Sequence, residues 1–364
     1  MKHRYFLRVM SLICLAALLL GLGACSPVET VTGVVKGWFG GKWVDDKPYE
    51  SYKLSSYIKL GEYKGVDPAL PEGGAEGMAK RYFDGRFMGV VDDPAKTAVA
   101  KGDIVLFSYE GSGEGISAET LRSMYHSGYI LEVGSGEFVK AYKDKDGVER
   151  RPSFEDQMIG QKRGVEFNVN VIFPDQYGEE GFELNGKPVT FKCKIAKIGK
   201  ASEKIMDEGV LMLTGGQLKT AQELLNWAQD DMREQAFEAA YILSETLKIP
   251  EKEQAYWDTQ LEKDAKDNGA GSADEYVSYY FNASDAASYR DEQIKREMFA
   301  FSVAEKEGLA VTNEEVKAEL DKHRAAAGDT GTDAELYSKY GGKGRLIREL
   351  MMVKAGAFIL ENVK

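Results

Sequence analysis

Residues 101–198 carry the longest run of strand-type pattern in the chain, and that run decides what the remainder must be built around. Ile104, Leu106 and Ser108 alternate with Val105, Phe107 and Tyr109. Val165, Phe167, Val169 and Val171 alternate with polar partners, and Val189, Phe191, Cys193 and Ile195 alternate with Thr190, Lys192 and Lys194. Period-two alternation over such lengths is what a half-buried antiparallel strand requires. Between these segments lie an apolar run from Tyr129 to Val133, then Gly134-Ser135-Gly136, and a short helical piece over Phe154–Gly160. The pattern predicts a small sheet curled over one short helix. A chain of 364 residues has room for two or three domains.

The same stretch resembles a known family. Gly102-Asp103-Ile104-Val105, Tyr109-Glu110-Gly111, Leu131-Glu132-Val133-Gly134-Ser135-Gly136-Glu137-Phe138, Phe154-Glu155-Asp156-Gln157-Met158-Ile159-Gly160, Phe173-Pro174-Asp175, Tyr177-Gly178 and Val189-Thr190-Phe191 follow one another in order. In order and spacing they are similar to the FKBP-type peptidyl-prolyl isomerase domain in the version carried by trigger factor. The resemblance implies an α+β chain: an FKBP-like curled antiparallel sheet with one short helix, followed by an all-α chaperone domain.

The net charge is −12, a figure that includes Lys2, Arg4 and Arg8; without those three it is −15. So acidic a surface argues against nucleic acid as a partner, which calls for a basic footprint, and against attachment to an anionic membrane through a polybasic patch. The cysteines Cys14, Cys25 and Cys193 support neither a disulfide framework nor a metal cluster. Cys193, on the inward face of a strand, reads as a small apolar filler. His126 and His323 are too far apart in sequence to suggest a metal site or a triad. No cofactor is expected.

Residues 1–25 read as an export signal. Lys2, His3, Arg4 and Arg8 form a basic start, Leu12–Leu22 an apolar run too short for a comfortable membrane span, and Leu22-Gly23-Ala24-Cys25 closes it. The closing residues resemble the bacterial lipobox, which implies diacylation of Cys25. Two acyl chains anchor stably where one is marginal. The expected location is the outer face of the cytoplasmic membrane, tethered rather than inserted, as suits a single-membrane bacterium.

Residues 26–56 read as a tether, with Trp38, Phe39 and Trp43 either resting at the interface or packing on the next domain. Residues 57–100 supply a lead-in strand near Tyr57–Val66 and a helix over 75–91, with the isomerase-type domain at 101–200. No Gly-Phe-Arg segment of the type with which trigger factor docks on the ribosome is visible, so no ribosome is expected as a partner.

Residues 201–364 change to helix formers. An amphipathic stripe runs from Leu218 to Leu247, with Pro250 marking its end, and further helices are expected over 251–266, from Ser272, over 286–306, from Thr312 to about Ala325, and over 344–362. Ser272-Ala273-Asp274-Glu275 and Thr312-Asn313-Glu314-Glu315 are capping-box starts. Val311–Val316 and Val353–Asn362 resemble the end of trigger factor's helical domain. Trp227, Met232, Phe237, Tyr279, Tyr280, Phe281, Met298 and Phe299 either form helix–helix core or line a cradle for unfolded chains.

The resemblance places Tyr109, Phe154, Tyr177 and Phe191 on pocket-lining positions, with Phe154 as the floor beneath a proline ring. Phe138 and Val139 match the pair before the helix, the Val139 amide being the donor to a substrate carbonyl, and Tyr129 adds a wall. The family's Phe-Asp pair is absent; Gly115-Ile116-Ser117-Ala118-Glu119 stands there, with Ile116 as the apolar substitute. Residues 141–152 are an insertion read as a solvated hairpin. Two readings follow. One is a lipid-anchored isomerase and chaperone acting on unfolded or proline-containing polypeptides. The other is a non-catalytic holdase with a degenerate isomerase domain.

Overall fold

The computed structural model describes residues 48–136, 138, 142–143, 149–150, 153–179 and 181–364. These form two units, residues 71–229 and residues 48–70 with 230–364. The export signal, Cys25 and most of the tether lie outside the described residues. No helix among the described residues is long and apolar enough to cross a membrane.

Tyr49, Leu54, Ile58, Tyr63 and Val66 are all buried in the core of the helical unit, and Ile58–Lys59 form strand β1. This corrects the boundaries read from sequence. The tether expected to reach residue 56 has ended by Tyr49, and the lead-in strand joins the helices rather than the isomerase-type sheet. Burying such side chains is worth roughly 1.5–3 kcal/mol each, more than a solvated linker forgoes.

The second unit opens with helix α1, Gly74–Phe83, which stops well short of residue 91. Asp84 and Gly85 take positive φ, and by Gly89 the chain passes so close to Met206 that a β-carbon would collide with it. Strand β2 (Val90–Asp92), β3 (Ile104–Ser112), helix α2 (Ala118–Ser123), β4 (Tyr125–Glu132), β5 (Tyr142–Lys143), β6 (Glu149–Arg150), β7 (Glu166–Ile172), β8 (Pro188–Ala201) and helix α3 (Asp207–Thr214) follow. The main sheet has the order β2-β8-β3-β4 with β7 also on β8, every pairing antiparallel. The β5–β6 pair is a separate hairpin within the insertion. Two register shifts flank Phe107, one against β8 and one against β4. Bulges bend a strand and increase its twist, which is how this sheet curls around its inner face. The helical piece expected over Phe154–Gly160 is a single 3-10 turn, Asp156–Met158, and α2 is a second helical element that the sequence pattern did not suggest.

Helix α4 is Ala221–Tyr241. Beyond it come β9 (Glu245–Thr246), which pairs with β1, and helices α5 (Glu251–Asp267), α6 (Ala273–Phe281), α7 (Ala286–Glu307), α8 (Asn313–Ala327), α9 (Asp333–Lys339) and α10 (Lys343–Glu361). The helix of the 218–247 stripe is thus shorter than the stripe, and its tail is strand. Thr312 and Glu315 cap α8 reciprocally, as their spacing predicts. Ser272 accepts the Glu275 amide, but the Glu275 carboxylate reaches the amide of Gly271 instead of closing the box. Helix α7 is the axis of this unit, burying Ile294, Met298, Phe299, Phe301 and Val303. Beside it Arg348 of α10 binds Glu297 and Glu253 at 2.5 Å each, while the Tyr49 hydroxyl donates to Glu297 at 2.7 Å.

Candidate functional site

Alternation along β3 places Phe107 and Tyr109 on the inner face of the sheet, and alternation along β8 places Phe191 there. The turn after the insertion delivers Phe154 between them. Phe154 is wholly buried, with ring centroids 4.6 Å from Phe138, 5.4 Å from Phe191, 5.8 Å from Phe107 and 6.4 Å from Tyr109. Tyr109 in turn lies 5.6 Å from Phe138, 5.8 Å from Phe191 and 6.0 Å from Tyr129, mostly edge to face, the arrangement aromatic quadrupoles favour.

The cluster is graded in exposure. Phe107, Phe154 and Phe191 are buried, whereas Tyr109, Tyr129 and Phe138 are half-buried. A core would close over all six rings; here the outer three meet solvent. Tyr177 is 53% exposed and reaches the cluster through Phe173, with centroids 4.6 Å apart. Burial pushes the Tyr109 hydroxyl up to about 12, with Tyr129, Cys193 and Tyr177 adding in the same direction, so it stays protonated.

Of the residues singled out in sequence, Tyr109, Phe138, Phe154, Phe191 and Tyr129 converge, and Tyr177 stands at the edge. Ile116 packs against the same core, from a loop that Glu183 fastens by accepting from the Ser117 amide at 2.8 Å, the Ser117 hydroxyl at 2.7 Å and the Thr120 hydroxyl. Val139 and Cys25 lie outside the described residues. Cys193 is buried, its thiol pushed up to about 12 by desolvation, an inert filler.

Sequence reasoning missed four contributors. Phe107 was legible, since it precedes Tyr109 by two residues on the same face. Phe173 gave no separate signal. His126 stacks on Tyr109 at 6.0 Å because of the irregularity in β4, which no pattern announces. Burial lowers its pKa, so the imidazole is neutral near pH 7. Glu155, 1% exposed, accepts backbone N–H groups from Gly134, Gly136 and Phe138.

Phe237, Met298 and Phe299 are buried in the core of the helical unit and Met232 is buried, while Tyr279 is 81% exposed; Trp227 falls in the other unit, buried beside Tyr82. Among the described residues no group of three or more His, Cys, Asp or Glu side chains is placed to hold a metal ion.

No protein-family model matches the chain. It is 28% identical over 329 residues to trigger factor of Bacillus licheniformis and 28% identical over 330 residues to that of Bacillus subtilis. Both alignments cover 84% of this chain and 73% of the relative. With trigger factor of a Geobacillus species the identity is 26% over 289 residues, covering 73% of this chain and 63% of the relative. A solved trigger factor chaperone, from work on promiscuous substrate recognition in folding and assembly, covers 84% of this chain and 72% of that one at 16% identity and a TM-score of 0.33, too low to bear on the fold. In sequence, then, the chain is similar over most of its length to proteins named trigger factor.

Proposed function

We propose that the protein is a membrane-anchored, extracytoplasmic peptidyl-prolyl cis-trans isomerase and chaperone for newly exported polypeptides. The observation that carries this reading is the graded aromatic cluster, with a buried floor at Phe154 and a half-open rim at Tyr109, Tyr129 and Phe138. Similarity to trigger factors over both units supports it.

The chemistry needs no nucleophile and no cofactor. Rotation about an X-Pro bond meets a barrier of about 18–20 kcal/mol because resonance stiffens the amide. A catalyst must bind the twisted amide, which has lost that resonance, better than either planar form. The proline ring meets the half-buried rings of Tyr109, Tyr129 and Phe138, which the buried Phe154 supports from beneath, and these rings take water from the imide, which weakens the charge-separated resonance form that holds it planar. The half-buried phenols and Phe138 enclose the peptide, and by resemblance the amide of Val139 meets the carbonyl. The helical unit holds the unfolded chain, and acylated Cys25 holds the protein at the membrane surface.

A second reading is favoured by one departure. Where the resembled family has Phe-Asp, this chain has Ile116 in a loop fastened by Glu183, so the pocket lacks that acid. In this reading the site binds without catalysing, and the protein only holds unfolded clients.

Isomerisation of a short X-Pro peptide by the chain without residues 1–25, measured beside suppression of a client's aggregation, separates the two. Acceleration supports the enzyme; suppression without acceleration supports the holdase. For the anchor, Cys25→Ala should abolish incorporation of labelled fatty acid and release the protein from membranes, and undiminished labelling refutes it.

A further inference from the structure

We infer that Glu155 is a positioning residue of the proposed isomerase site, holding Gly134, Gly136 and Phe138 so that the Phe138 ring stands against Phe154; the inference rests on the isomerase reading. Its carboxylate accepts from the backbone amides of Gly134 at 2.9 Å, Gly136 at 2.7 Å and Phe138 at 3.0 Å, and from the Ser135 hydroxyl at 3.3 Å. Three amides on one acceptor require the loop to turn its N–H groups to one side. Gly134 (φ 87°) and Gly136 (φ 73°) supply that turn from the left-handed region, making a concave nest of donors. Charge-assisted bonds from backbone N–H groups to a carboxylate are short and strong, and this one is buried.

The placement ties the clamp to the pocket. Glu155 follows Phe154 directly, so the floor and the clamp share one peptide unit. The last amide it holds belongs to Phe138, whose ring meets Phe154 at 4.6 Å and Tyr129 at 5.0 Å. A carboxylate only accepts, which suits three donors. The amide of glutamine would turn an NH2 toward backbone N–H groups, and aspartate falls one methylene short. Either change loosens the loop while the floor stays seated in the sheet.

The test compares the full-length protein with Glu155→Gln, Glu155→Asp and, as a control of stability alone, Ile198→Ala, a buried residue of the same core at the β2 end of β8. Three quantities are read: kcat/KM on an X-Pro peptide, hydrogen exchange at the Gly136 and Phe138 amides, and Tm. Glu155→Gln is expected to lose at least tenfold in kcat/KM and to exchange both amides at least tenfold faster. Glu155→Asp should fall between it and the parent, and Ile198→Ala should keep kcat/KM within twofold whatever its Tm. Should Glu155→Gln not fold, Glu155→Asp carries the comparison, with a loss of at least threefold expected. Parental kcat/KM in both Glu155 variants overturns the inference, as does an equal loss in Ile198→Ala. A parent that binds peptide without accelerating it fails the isomerase reading itself, and the inference with it. A parent that accelerates while the variants match it fails the inference alone.

Discussion

Glu155 in the sheet unit and Glu297 in the helical unit are both buried carboxylates, and the two units satisfy them in different ways. Glu155 takes the backbone amides of a single loop, which shapes the rim of an aromatic cluster. Glu297 takes the guanidinium of Arg348 and the hydroxyl of Tyr49, which draws α7, α10 and the N-terminal stretch together. The rings follow the same division. Three of the six rings in the sheet unit's cluster are half-buried; in the helical unit Phe237 and Phe299, 5.0 Å apart, are sealed, while Tyr279 is exposed. One buried carboxylate shapes the rim of a half-open cluster, and the other ties helices together in a core.

That contrast is most exposed at Arg348. Arg348→Ala leaves Glu297 and Glu253 buried without their cation and should cost about 3–5 kcal/mol, read by thermal unfolding. A loss below about 1 kcal/mol would mean the ion cluster does not hold the helices. Tyr49→Phe removes a donor from a buried carboxylate and should cost about 1.5–3 kcal/mol, whereas a true linker residue would cost nothing.

The pH dependence sharpens the same point. Burial holds Glu297 above the ordinary carboxylate value of 4.5, more than the neighbouring Arg348 pulls it down. A raised acid contributes stability that is complete below 4.5 and is lost as pH rises through its folded value. The helical unit should therefore melt at lower temperature as pH rises from about 5 toward neutrality, and Glu297→Gln should flatten that slope. Asp291, Glu307, Asp329 and Asp333 have lowered values and act in the opposite direction, losing their contribution only as pH falls below the ordinary range. A midpoint that climbs from pH 5 to 7 would contradict this. The smallest effect is at the α8 cap, where Thr312→Ala should cost about 1 kcal/mol.

Much of this was written locally in the chain. Alternation gave β3, β7 and β8, and the Thr312 capping box opened α8, because strands and helix ends depend on near neighbours. Tyr109, Tyr129, Phe138, Phe154 and Phe191, singled out through the resemblance, converge in one cluster, whereas Phe107 and Phe173 were not singled out. What escaped depends on distant contacts. Tyr49 reads as a loop residue until Glu297 and Arg348 fold beside it. The displaced His126 follows from a register shift between strands, and Glu155 becomes a clamp only once Gly134 and Gly136 turn their amides inward.

The claim that the open aromatic cluster is catalytic is tested most directly by the cis-trans isomerisation rate of a Phe-Pro peptide with the parent protein and Tyr109→Ala. Tyr109 is half-buried, so the variant should fold, and its Tm is recorded beside the rate. The account predicts acceleration by the parent and at least a tenfold loss in Tyr109→Ala with the fold intact, equivalent to about 1.4 kcal/mol of transition-state stabilisation. A parent that does not accelerate the reaction, or a folded Tyr109→Ala that matches it, would contradict the account.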